Sequence, residues 1–449
     1  MKQIRNITLL MCMALIAGQL FAGGFALTGV GSRATSMGGA FRGLSDDASA
    51  MYWNPAGLGF MNENSVSLGG TFIMPSAKWD PSGTYIDTIP GFSAKEYEAK
   101  KRLVAFPNAF LTMTKNSRLK YGLGVYVPYG LGTTWDAYEL PGAPYVYENG
   151  ASFPEEEMMS SIAVIDVHPT VAYHLLPNLS LGLGVSAMYG TIDITQLKFP
   201  AGSNVAPMSI DLSGSGIGLG ANMGVIFKPT ECMSIGLSGK LPSSIDMEGD
   251  ISMHLWAPAN PYGTPAMKLG GTSDIDATLD LPADIGIGIA YTKFDNLTLT
   301  MDYAYTMWES LDKVKVKFKD PIEIAHPDTE VPPNPYTEVP LVFDWENTHR
   351  VSLGAEYQMG MNKLRTGFFY DQTPIPEETQ LPTLSDISDK FSANLGWGRE
   401  FGNIGIEANA QWVMFTEREL KDSDSSTNNM PGKYNSNSIS GNIGLTYKF

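Results

Sequence analysis

The sequence predicts an all-β protein, a 14-stranded antiparallel transmembrane β-barrel with an N-terminal hatch (plug) inside its lumen. Three observations lead there. Charged residues are only 17% of the 449, against roughly 25% in ordinary soluble domains, and the 47 glycines exceed the usual share. No internal stretch reaches the ~18 apolar residues that a spanning helix needs, so the membrane option left is a barrel. From about residue 63 onward, segments of apolar and polar alternation recur between turn signals.

The elements follow in chain order. Lys2 and Arg5 precede the apolar residues 7–17, and a small-residue site ends at Ala22, so residues 1–22 read as a secretory signal peptide. Cys12 would leave with it, and Cys232 alone can form no intramolecular disulfide. Residues 23–62 do not alternate. They are rich in glycine and alanine, with a short helical possibility at 46–52 and the run Asn54-Pro55-Ala56-Gly57. Phe25, Leu27, Phe41, Met51, Tyr52 and Trp53 would want burial there, which suits a plug better than a solvated tail. In the run itself, Asn54 and Pro55 favour a fixed turn, and Gly57 is expected to use a φ that other residues resist.

Residues 63–449 then carry about 14 strands. The last is the cleanest: Ile439, Ile443, Leu445, Tyr447 and Phe449 share one face, and Ser438, Ser440, Asn442, Thr446 and Lys448 the other. Connections alternate between tight links, such as Leu176-Pro177 and Phe294-Asp295, and long Pro-rich loops, such as 76–101, 132–160 and 250–274. Short turns on one rim and long loops on the other mark an outer-membrane barrel, and an even count returns both ends to the periplasm. The expected setting is the outer membrane, among lipids that include lipopolysaccharide, with the barrel working as a monomer. The net charge of −17 argues against nucleic acid as a partner.

The stretch Gly24-Phe25-Ala26-Leu27 through Gly38-Gly39-Ala40, Asp46-Asp47-Ala48 and Asn54-Pro55-Ala56-Gly57 resembles the mature N-terminus of the FadL/TodX family. Asp302-Tyr303-Ala304-Tyr305-Thr306-Met307-Trp308 and Arg365-Thr366-Gly367-Phe368-Phe369-Tyr370-Asp371 resemble later stretches of the same family's members, in order and spacing. These are outer-membrane transporters of long-chain fatty acids and other hydrophobic compounds. The resemblance implies passive uptake of a hydrophobic small molecule (fatty acid, hydrocarbon or aromatic), with no cofactor and no metal. It also implies lateral release through a kink in the third strand, for which Pro128, Tyr129, Gly130 and Leu131 are the candidates. Proline cannot donate to a ladder and glycine weakens a strand, so pairing is expected to fail there. The alternative is a protein-docking scaffold in secretion, as in PorV-like relatives.

Strand parity sorts the charges. If Val351, Leu353 and Tyr357 face lipid, then Arg350 and Glu356 face the lumen, as do Lys363, Arg365, Asp371, Asp302, Lys390 and Glu407. Arg350 and Arg365 are the candidates to meet a ligand carboxylate. Lys313, Lys315, Lys317 and Lys319 are expected to point into the mouth after a bulge near residues 308–311 switches the strand's face; steering anions, clamping surface lipid phosphates and solvating an edge are the three roles open to them. Loops 76–101 and 132–160, with Trp79, Tyr85, Phe92, Trp135, Tyr138, Tyr145 and Tyr147, would define a capture groove; Glu155, Glu156 and Glu157 beside them disfavour anions. The five histidines show no metal-ligand spacing and no nucleophile motif stands out, so no enzyme is expected.

Overall fold

Alternation of apolar and polar residues demands a sheet with one greasy and one wet face, and a closed sheet leaves no edge unpaired in lipid. The computed structural model describes residues 24–88, 95–115, 117–136, 158–198, 208–257, 267–324, 335–384, 386–425 and 429–449. The expected signal peptide, Phe92, Tyr138, Tyr145, Tyr147 and the three consecutive glutamates lie outside them.

The strands are β1 (Ser65–Asp80), β2 (Val104–Met113), β3 (Leu119–Trp135), β4 (Met158–Leu176), β5 (Leu179–Lys198) and β6 (Met208–Thr230). Each of the next four is broken into two pieces: β7 (Met233–Lys240, Ser243–Ala257), β8 (Met267–Leu281, Ala283–Phe294), β9 (Leu297–Met307, Lys313–Ile322) and β10 (Tyr336–Val342, Thr348–Met359). Then come β11 (Asn362–Asp371), β12 (Lys390–Phe401), β13 (Ile404–Phe415) and β14 (Gly432–Lys448). Neighbours are antiparallel throughout, and β1 closes on β14 from Ser65–Lys448 to Asp80–Lys433. The tight turns between β10 and β11 and between β12 and β13 use Gly360 and Gly402 at φ 61° and 60°, which favour glycine.

Through the belt, side chains such as Leu181, Leu183, Leu353 and Ile443 are exposed outward, while Ser180, Ser352 and Asn442 are buried inward. Above the belt the polarity inverts. In the upper pieces of β7 and β8, Ile245, Met247, Ile251, Ile275 and Leu279 fill the interior, and Asp246, Glu248, Asp250, Asp274 and Asp276 face out. The four lysines of β9 follow this rule, against expectation. Val314 and Val316 are buried in the core while Lys313, Lys315, Lys317 and Lys319 are exposed on the outer surface. A short 3-10 turn at Trp308–Ser310 does break the strand, yet odd-numbered residues stay outside. The surroundings change instead: the outer face passes from lipid into water, where ammonium groups are cheap to solvate.

The N-terminal segment crosses the lumen. Helix α1 (Ser32–Ser36) packs on β11–β14, while α2 (Ala50–Trp53) leads into a 3-10 turn (Pro55–Phe60) that packs on β3–β6 across the barrel. The fit is backbone to backbone. A Cβ at Gly182 would collide with the Pro55 carbonyl and the Ala56 amide, and one at Gly367 with Met37 and Gly38.

Candidate functional site

The third strand carries the irregularity. Its register on β4 shifts between Tyr126, opposite Asp166, and Tyr129, opposite Val164, so β3 holds one extra residue. Its ladder to β2 runs only from Met113–Tyr121 to Ala109–Val125, although β3 continues to Trp135. Contact with the chain before β2 resumes at the rim, where Ala99 bridges Trp135 and the Lys100 amide donates to the Thr134 carbonyl at 2.7 Å. Between these points β2 and β3 are not laddered to each other, and the wall has a gap.

A strap from the N-terminal segment fills it. Ala26 bridges Tyr129; the Leu27 amide donates to the Pro128 carbonyl at 3.0 Å and the Gly130 amide donates to the Phe25 carbonyl at 2.9 Å. Backbone groups that no neighbouring strand takes are satisfied by this three-residue strand instead, as burial requires. The Phe25 ring is caged by Trp308, Trp345 and Tyr129, with centroids 4.9, 5.5 and 5.6 Å away. Gly24, at φ 82°, lies so close to the Trp308 ring that no side chain fits.

Beside the strap is a cavity of about 220 Å³, lined by Leu27, Ile73, Val104, Phe106, Ile162 and Val413, with a polar corner at Asp386, Lys390 and Gln411. Phe106 closes the gap from the β2 side, its ring against Gly130. Of the residues expected at the kink, Pro128, Tyr129 and Gly130 form the strap's docking edge, and Leu131 continues the strand.

The rest of the N-terminal segment is held by charge and by close fit. Asn54 is fully buried; its amide donates to the Arg42 carbonyl at 3.0 Å and the Val225 carbonyl at 3.2 Å, and its side-chain oxygen accepts from the Ala56 amide. Gly57 does not use a left-handed φ, against expectation. It must be glycine because a Cβ would run into the Ser45 carbonyl. Asp302 accepts from the Phe41 and Arg42 amides, and Arg42 pairs with Asp284 at 2.7 Å. Arg33 pairs with Glu356 at 2.8 Å and Asp46 at 2.6 Å. The two arginines expected to meet ligand are wall residues of β10 and β11 on the face that holds this segment. Arg350 donates to the Thr28 and Gly38 carbonyls at 2.9 and 3.2 Å, and Arg365 sits between Glu356 at 2.6 Å and Glu407 at 2.9 Å. Neither lines the apolar cavity.

Several features escaped sequence reading. Trp79 and Trp135 are fully buried in a rim cluster with Tyr97 and Tyr434 rather than lining an open groove. A polar network ties β4, β5 and β6 to the segment: Ser186 donates to Asp166 at 2.9 Å, His168 contacts Ser186 at 2.9 Å and Asn222 at 3.1 Å, and Asn222 donates to the Met51 carbonyl. Inward parity of residues 166 and 168 on β4 was its one available signal. Among the described residues, no group of His, Cys, Asp and Glu could hold a metal ion.

A closed barrel with a lipid-facing apolar belt and a lumen crossed by its own chain is an outer-membrane channel of the transport type. The chain belongs to the outer membrane protein transport family (OMPP1/FadL/TodX), which matches residues 13–449. Its members are transport channels of the outer membrane, not enzymes. It is 24% identical over 448 residues to the long-chain fatty acid transport protein of Escherichia coli, covering 92% of each chain. Its fold is similar to that of a Pseudomonas aeruginosa FadL homologue, with a TM-score of 0.73 at 19% identity over 95% of this chain and 100% of that one. The Ralstonia pickettii toluene transporter TbuX aligns at a TM-score of 0.65 and 18% identity, over 94% and 99%.

Proposed function

We propose that the protein carries hydrophobic small molecules passively across the outer membrane and releases them sideways between β2 and β3. The observation that carries this reading is the ladder that stops at Ala109–Val125, with the Phe25–Leu27 strap in place of a strand beyond it. A ligand in the cavity is one ring, Phe106, and one strap away from the lipid side of the wall. Burial of ~0.8 kcal/mol per CH₂ drives capture and exit alike, so no energy coupling is required. In this reading residues 23–62 are a hatch with an anchored body and a movable tip. The barrel, closed on itself through β1 and β14, works in this reading as a single chain among lipids that include lipopolysaccharide. The relatives' names, which cite long-chain fatty acids and toluene, support the hydrophobic class.

The test is to regularise the third strand. Deleting Pro128 removes the extra residue and lets β3 run straight beside β2. Ligand binding to the purified barrel should persist while uptake into cells falls to background. Normal uptake by a correctly assembled deletion variant would favour passage down the lumen into the periplasm.

A further inference from the structure

Strands β9 and β10 carry an ordered outer face that has no part in the route through the lumen. On the lower piece of β9 the outward side chains run from Met301 in the belt to Tyr303 and Tyr305. The Tyr303 hydroxyl lies 2.6 Å from His349 Nδ1 on β10, and the Tyr305 and His349 rings are 5.0 Å apart, an aromatic rim of the kind that marks a membrane–water boundary. Above the break, the same strand turns out Lys313, Lys315, Lys317 and Lys319. Lys313 shares its ammonium with Asp312 and Asp344 at 3.5 and 3.6 Å, and Lys319 with Asp276 at 3.4 Å. Lys315 and Lys317 make no ion pair among the described residues, although Lys317 stands in register between Asp276 and Glu338. Most of the acids gather further round, with Asp250 opposite Asp274 and Glu248 opposite Asp276 on β7 and β8. The outer face is thus sorted by sign, and an approaching anion is steered to β9.

We propose that this face is a docking surface for lipopolysaccharide, whose acyl chains pack on the belt below the aromatic rim while its phosphates and anionic core sugars rest on Lys315 and Lys317. Reach decides between this lipid and a phospholipid. Successive outward residues of a strand are ~7 Å apart, so Lys313 to Lys319 spans ~20 Å, or ~15 Å of height at the usual barrel tilt. A phospholipid head-group layer is only ~5–8 Å deep, so its phosphate meets the lowest lysine and no more. A glycolipid with further negative groups stacked above its lipid phosphates meets the whole stripe. Ammonium groups in a row repel one another, and a polyanion relieves that repulsion along the stripe where one carboxylate relieves it at one lysine. The surface lies half-way round the ring from the gap between β2 and β3, so a lipid held there leaves the proposed exit clear.

The experiment measures equilibrium binding of radiolabelled lipid A with its inner core sugars to the purified full-length barrel in neutral detergent. EDTA is present, so that no carboxylate–metal–phosphate bridge carries the binding. The double variant Lys315→Gln, Lys317→Gln should weaken binding by about tenfold, since each basic side chain near a charged lipid surface contributes roughly equally. Lys315→Arg with Lys317→Arg should stay within about twofold of the unaltered protein, because the charge is kept. Lys313→Gln with Lys319→Gln should lose less than the central pair, because those ammonium groups are already shared with carboxylates. Phosphatidylglycerol should compete at least about tenfold more weakly than unlabelled lipid A, as the reach of the stripe requires. Binding by the central glutamine variant as tight as that of the unaltered protein would overturn the surface. So would an arginine variant that loses as much as the glutamine one, or an unaltered protein that binds no lipid A. A larger loss from the outer pair would overturn the assignment to Lys315 and Lys317. Equal competition by phosphatidylglycerol would overturn lipopolysaccharide as the occupant in favour of any anionic lipid.

Discussion

Two parts of one N-terminal segment meet the same barrel by different chemistry. The body, from Ser32 to Phe60, is seated by buried charge pairs and by backbone pressed onto wall glycines. The strap, Phe25 to Leu27, is held by two backbone hydrogen bonds, a ring cage and the Gly24 contact to Asp386. Removing one member of a buried ion pair strands the other at a cost of several kcal/mol, and a backbone seat has no substitute. Ring contacts are replaceable, because a hydrophobic ligand offers the same apolar surface. In the proposed mechanism this difference lets one end of the segment release while the other stays seated: the body rests on buried charge and backbone fit, the strap on two backbone hydrogen bonds, one amide–carboxylate contact and ring contacts that a ligand's apolar surface can replace.

Substitutions can break that contrast, and the largest effect is expected in the seat. Gly182→Val drives a side chain into Pro55 and Ala56, where neither backbone can retreat. Unfolding in urea should lose about 3 kcal/mol, and cells should become sensitive to bulky antibiotics as the body leaves the lumen. Asn54→Ala comes next. It removes a side chain bonded to the body and to the β6 wall, so about 2 kcal/mol of seating should go. Assembly should survive and ligand uptake fall, as in Pro55→Ala; normal uptake in both variants at equal surface abundance would remove the Asn54–Gly57 motif from the mechanism. Phe25→Ala should have the smallest effect on barrel stability. Its ring is fully buried, yet the loss is confined to a unit that opens locally, so the urea midpoint should hold while proteolysis of the strap accelerates. A midpoint shift as large as that of Gly182→Val would make strap and body one unit.

Much of this architecture was written in period two. Each strand's parity separates lipid from lumen, which places Glu356, Arg365, Asp371 and Lys390 inward with no further information. Parity says where a side chain points and not what it meets. Arg350 was legible as a lumen cation; that it grips the Thr28 and Gly38 carbonyls depends on a segment more than 300 residues away in sequence. Pro128 and Gly130 announce a break in the third strand, but pairing with Phe25 and Leu27 is decided by how the N-terminal segment lies in three dimensions. The β9 lysines misled because membrane reasoning was carried past the rim, where water replaces lipid and an apolar core replaces a wet lumen. Asp386 sits in a loop of mixed composition, and nothing local distinguishes it from its neighbours.

The central claim is that the strap must leave the third strand for ligand to pass. Ala26 and Tyr129 face each other as an antiparallel pair flanked by the two strap hydrogen bonds, a geometry with the side chains close together. Cysteines at both positions are within reach of a disulfide, and Cys232→Ser removes the other thiol among the described residues. Uptake of radiolabelled laurate by cells carrying this variant should drop to background when oxidised and return on reduction, with Tyr129→Cys alone insensitive to both treatments. Full uptake with the crosslink complete would show that ligand crosses without moving the strap, and the account would be wrong.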